Sequence, residues 1–153
     1  MKKWLKRAAI ALLIILVGIQ LIPINRTDPA VTREVHWDSP ETRALAQRAC
    51  FACHSNETTW PWYGYIAPAS WLLANHIGEG RSRLNFSEWG KPNADLNEVV
   101  ETITENRMPT RDFLLMHSEA RLTTAEKATL VAGLRATFSQ DPPIPRPRRR
   151  REG

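Results

Sequence analysis

The chain has 153 residues and a net charge of +5, enough for one domain of modest core once its ends are set aside. The charge does not argue for nucleic acid: the first seven residues carry +4, the last eight carry +4, and the remainder is left at −3, so no basic face belongs to the domain itself. Ordinary proline and charge contents exclude wholesale disorder, and six Trp bring large apolar area, each with one N–H that wants a partner.

Lys2, Lys3, Lys6 and Arg7 open the chain, and residues 8–22 read AAIALLIILVGIQLI before Pro23 ends the run. With Trp4 and Leu5 the run approaches the ~20 residues needed to span hydrocarbon. Its apolar character lies on all faces, unlike the single stripe of a core helix. The exit offers a poor small-x-small cleavage site, so an uncleaved anchor over residues 1–24 is favoured over a removed signal peptide. The basic cluster stays in the cytoplasm, which predicts a single pass through the cytoplasmic membrane and a C-terminal domain in the periplasm. Residues 25–38, polar and without period, read as a linker lifting that domain off the membrane.

The domain spans 39–139 by the same reading. Ser39-Pro40-Glu41 starts a helix that would run to about His54 and present Leu45, Ala49 and Ala52 on one side. Pro61 and Gly64 forbid a long helix in the aromatic stretch from Asn56 to Ile66. A helix is predicted over 67–77, stopped by Gly78 and Gly80, and then a loop to Pro92 with a turn at Ser87-Glu88-Trp89. Asn93 caps a helix to about Asn106 that buries Leu96, Val99, Val100 and Ile103, and Met108-Pro109 breaks the chain out of it. Thr123 and Glu126 fit a capping box for a last helix burying Leu130, Val131, Leu134 and Phe138. Residues 140–153 form a Pro/Arg-rich flexible tail, with lipid headgroups as the weaker alternative for its arginines. No strand alternation is visible, so the expected architecture is all-α with long, ligand-lining loops, preceded by one transmembrane helix.

Cys50-Phe51-Ala52-Cys53-His54 is a C-x-x-C-H haem-attachment signature. Two thiols three residues apart on a helical turn point the same way and can reach both vinyl groups of a porphyrin edge, and the next residue then offers imidazole to the iron. A thiol–disulfide motif would sit at a helix start, whose positive end stabilises thiolate, whereas this pair falls near a helix end. A zinc site would want two more ligands at close spacing, and there is no second C-x-x-C. The predicted cofactor is therefore one covalent haem c on Cys50 and Cys53, its iron held by His54. For the sixth ligand Met108 leads, in a loop stiffened by Pro109; His36, His76, His117 and Met116 are the other candidates. Trp60, Trp62, Tyr63, Tyr65, Trp71 and Trp89 either wall the porphyrin or pack the core, and Arg81, Arg83 and Lys91 are candidates for the propionates.

The run Cys50–Tyr63, CHSNETTWPWY at its heart, resembles the bacterial haem-binding domain family of small cytochrome c-like proteins. So do Ile66-Ala67-Pro68, Ser70-Trp71-Leu72, His76, Glu79-Gly80-Arg81, Leu84-Asn85-Phe86-Ser87, Trp89, Met108-Pro109 and Leu122-Thr123, over roughly residues 38–138. The resemblance implies a single c-type haem and an exported location, and supplies neither partner nor reaction. The residues themselves favour single-electron transfer with a redox protein partner of unidentified kind, and not an enzyme. An open sixth position would instead serve peroxidase-type chemistry or a redox- or gas-binding module.

Overall fold

The computed structural model describes residues 2–146. The first helix, α1 (Lys2–Gly18), continues as a 3-10 turn over Ile19–Leu21, and the two together are long and apolar enough to cross a membrane. None of α1 is buried against the domain.

The segment expected to be a linker is instead part of the domain from about Thr32 onward. Its backbone is hydrogen-bonded to the loop 86–89: Thr32 N–H to Ser87 O at 3.1 Å, Val35 N–H to Phe86 O at 3.1 Å, and Trp89 N–H back to Arg33 O at 2.8 Å. Val35 is buried and Trp37 packs on the same core. Two inward residues two apart are the pattern of an extended strip, too short to stand out in the sequence.

Ser39 caps α2 (Pro40–Ala49) as predicted, its Oγ accepting from Thr42 N–H at 3.2 Å with Pro40 in the first turn. The single helix predicted to His54 is broken at Cys50, whose φ of −124° leaves the helical range, and a one-turn α3 (Phe51–His54) follows. After a 3-10 turn at Trp62–Tyr65 comes α4 (Ala69–Arg83), which runs straight through both glycines expected to stop it. Asp95, not Asn93, caps α5 (Leu96–Thr104), accepting from Glu98 N–H at 2.9 Å. Asn93 is taken by a tertiary bond instead: it is buried, and its Oδ1 accepts from Asn85 N–H at 2.7 Å. It lies in a two-residue strand, β1 (Pro92–Asn93), paired in parallel with β2 (Ile144–Pro145). The head of the predicted tail is thus tied to the domain, while its part at 147–153 lies outside the described residues.

A short α6 (Arg111–Met116) precedes a 3-10 turn (Ser118–Ala120) and the last helix, α7 (Thr124–Gln140). Both halves of the Thr123/Glu126 capping box are made. Helices α2 and α5 pack on α7 around Leu45, Ala46, Val99, Ile103, Leu130, Leu134 and Phe138. A Cβ on Gly133 would lie 1.9 Å from Thr42 Oγ1, so α2 and α7 cross at a point that only glycine permits. Trp89 is fully buried here, against Phe86 and Phe138, with its Nε1–H donating to Asp141 O at 3.0 Å.

Candidate functional site

The break at Cys50 is what aims the C-x-x-C-H turn. Cys50 N–H still closes α2 onto Ala46 O at 2.7 Å, and Cys50 O then accepts from Cys53 N–H at 3.1 Å and His54 N–H at 2.9 Å. Helix α4 crosses this turn at Gly80, where an added Cβ would lie 2.4 Å from Cys53 O. The close approach puts two carbonyls of the last turn of α4 and its exit onto one ring atom: His54 Nδ1 lies 3.1 Å from Gly80 O and 3.0 Å from Leu84 O. A carbonyl can only accept, so Nδ1 carries the proton and Nε2 keeps its lone pair. Burial holds the His54 pKa below the ordinary imidazole value, against the upward pull of those two carbonyls, and keeps the ring neutral. A neutral imidazole with its far nitrogen fixed by backbone acceptors is how a metal-ligating histidine is oriented.

His54 lines an open cleft of about 190 Å³ together with Cys50, Cys53, His76, Arg83, Met108 and Phe113. An adjoining cleft of about 80 Å³ shares Cys50, His54, Arg83 and Met108, and its floor is Leu84, Phe86, Val99, Ile103 and Leu134. Cys50 and Cys53 form no disulfide. Burial pushes the Cys50 thiol up to about 12 and the Cys53 thiol up to about 11, so neither supplies thiolate at neutral pH. A thiol–disulfide site depends on the opposite shift.

Met108 is delivered to the cleft by the end of α5. Asn106 adopts a left-handed φ of 56°, its N–H bonds Ile103 O at 3.2 Å, and Arg107 N–H bonds Thr102 O at 2.9 Å. This helix-ending motif turns the chain back and leads directly into Met108-Pro109.

The sequence pattern of the haem-binding domain family matches residues 14–136. The chain belongs to that family. No curated protein and no solved structure matches it. The residues of this haem-binding domain fit the group: an imidazole nitrogen with no hydrogen bond among the described residues faces a cleft with two thiols, a thioether and an apolar floor.

Within the haem-binding domain, the structure gathers Cys50, Cys53, His54, Met108, His76 and Arg83 at one cleft. It does not bring the other predicted residues there. His117 has both ring nitrogens engaged, by Tyr63 Oη at 2.7 Å and Glu119 Oε1 at 2.8 Å, and stacks on Phe113. Exposed Met116 and His36 lie outside the cleft lining. Arg81 is a brace, donating to Ser55 O at 2.8 Å and Thr58 Oγ1 at 3.0 Å and paired with Asp28. Lys91 pairs with Glu88 at 2.8 Å. Arg83 makes no ion pair among the described residues, which leaves it for an anionic group at the cleft. None of the six aromatics named above lines either cleft. Sequence reasoning missed Gly80 and the carbonyl of Leu84, which act through the backbone and carry no side-chain signature, and it missed Asp112, whose Oδ2 stands 3.6 Å from His76 Nδ1.

Proposed function

We propose that this haem-binding domain carries one covalent haem c and passes single electrons at the outer, periplasmic face of the cytoplasmic membrane, with α1 as its anchor. Cys50 and Cys53 would hold the group by adding across its two vinyl bonds, sulfur to one carbon and the thiol proton to the next, so that no oxidant is consumed. Bound haem supplies an iron that cycles between ferric and ferrous. His54, through Nε2, and Met108 would hold the iron, and a methionine ligand would favour the ferrous state and raise the potential. Arg83 is placed to meet a propionate. The partner is another redox protein, docking at the open mouth of the cleft.

One observation carries this reading: the two backbone carbonyls on His54 Nδ1 fix a neutral ring whose other nitrogen is left for a metal. A second reading is favoured by His76, which lines the cleft with Asp112 Oδ2 3.6 Å from its Nδ1, a proton donor and acceptor of the kind a peroxidase would need. Adding cyanide to the oxidised protein and carbon monoxide to the reduced protein separates the two. Electron transfer predicts a low-spin spectrum that neither ligand changes. A high-spin spectrum that shifts on addition would contradict it and establish the second reading.

A further inference from the structure

The aromatic stretch that fails to wall the cleft sits elsewhere, at the outer end of α1. Gln20, in the 3-10 turn that ends the apolar run, pairs both halves of its carboxamide with the backbone of one residue: Nε2 donates to Ala67 O at 3.1 Å and Oε1 accepts from Ala67 N–H at 2.9 Å. Arg26 donates to Gly64 O at 3.0 Å and lays its guanidinium 4.9 Å from the centre of the Tyr65 ring. These bonds hold the segment 62–67 within one side chain's reach of the point where the apolar run stops.

That segment and the first turn of α4 expose Trp62 at 69%, Tyr65 at 59%, Ile66 at 49% and Leu72 at 55%. Large apolar side chains grouped on a surface mark a contact. Trp and Tyr favour the level of the headgroups, where the ring meets acyl chain and the polar tip stays wet. A cation such as Arg26 suits the same level, beside lipid phosphate. Because α1 already tethers the domain to a bilayer, this face meets lipid without a further encounter.

We propose that Trp62, Tyr65, Ile66 and Leu72 form a second contact with the bilayer that α1 crosses, seating the domain on the outer headgroup–acyl boundary. The proposal rests on the reading of α1 as a membrane span. It gives α4 a second role: the helix leaves the membrane at Leu72 and reaches the haem cleft at His76, about 6 Å further along its axis. The site is then held at a set height and orientation for a partner that moves in or on the same membrane.

Nitroxide labels on the full-length holoprotein in phosphatidylethanolamine/phosphatidylglycerol vesicles test this, through the ratio of collision rates with oxygen and with a nickel chelate. Labels are placed by Trp62→Cys, Leu72→Cys, Leu13→Cys and Glu101→Cys, with the unsubstituted protein as background for Cys50 and Cys53. The expected result is a ratio several-fold higher at 62 and 72 than at exposed Glu101, and higher still at 13. A label at 13 in hydrocarbon with those at 62 and 72 in water overturns the proposal and leaves the anchor standing. Labels at 62 and 72 shielded from both reagents mean that protein covers the face, and overturn it too. A label at 13 in water overturns the anchor and the proposal together.

Discussion

Replacing Gly80 with alanine should separate the two things that glycine does here. In a helix interior alanine is favoured over glycine by about 0.8–1 kcal/mol. The new Cβ, however, stands 2.4 Å from Cys53 O, about 1 Å short of ordinary contact, and what it meets is backbone that cannot swing aside. Forcing α4 away costs on the order of 1–3 kcal/mol as overpacking. A retreat of that size also takes Gly80 O out of hydrogen-bonding range of His54 Nδ1, now 3.1 Å away, at a cost of about 0.5–1.5 kcal/mol. The net expectation is a loss of about 0.5–3.5 kcal/mol. Gly78 is the control: it lies two residues earlier in the same helix, and a Cβ there meets nothing within 4 Å. Gly78→Ala should therefore gain about 0.8–1 kcal/mol. Denaturant unfolding of the detergent-solubilised holoprotein, followed at the haem absorbance, measures both. Equal stabilisation by the two substitutions, with an unchanged haem spectrum in Gly80→Ala, would refute the close-approach argument.

Met108→Ala should abolish the weak red charge-transfer band of methionine-ligated ferric haem, while His76→Ala leaves it in place; an unsubstituted protein without the band, whose low-spin spectrum is lost in His76→Ala and kept in Met108→Ala, would move the sixth ligand to His76. Gly133→Ala, which drives a Cβ into Thr42, should cost about 1–3 kcal/mol despite improved helix propensity, and a raised melting temperature would contradict the tight α2–α7 crossing. Hydrogen bonds from Thr123 N–H and then Arg48 depress Glu126 to about 2 from an ordinary 4.5. Its folded-state pKa is the lower one, so the stabilisation is complete above about pH 4.5 and is lost as pH falls toward 2. Melting temperature followed across that window should fall less steeply in Glu126→Gln than in the unsubstituted protein, and parallel curves would count against the assignment.

The parts of this fold that were legible in the sequence are those written in local side-chain chemistry. Ser39 with Pro40, and Thr123 with Glu126, announce their helices because cap and partner lie within a few residues of each other. The spacing of Cys50, Cys53 and His54 needs no tertiary information either. What could not be read depends on distant backbone. Gly78 and Gly80 look like helix stops until α3 is laid against α4, when Gly80 proves to be a contact point. Asn93 and Asp95 are both competent caps, and the choice falls to Asp95 because Asn85 N–H claims Asn93. The aromatics were divided between porphyrin and core by composition alone, yet Trp89 is core while Trp62 and Tyr65 face outward near the end of α1, a third environment that composition does not signal.

The intact mass of the full chain, matured in a host competent for cytochrome assembly and measured under denaturing conditions, tests the central claim most directly. Attachment through Cys50 and Cys53 predicts a polypeptide heavier by one haem, reduced to the bare mass when both cysteines are replaced by alanine. A colourless chain of bare polypeptide mass would contradict it.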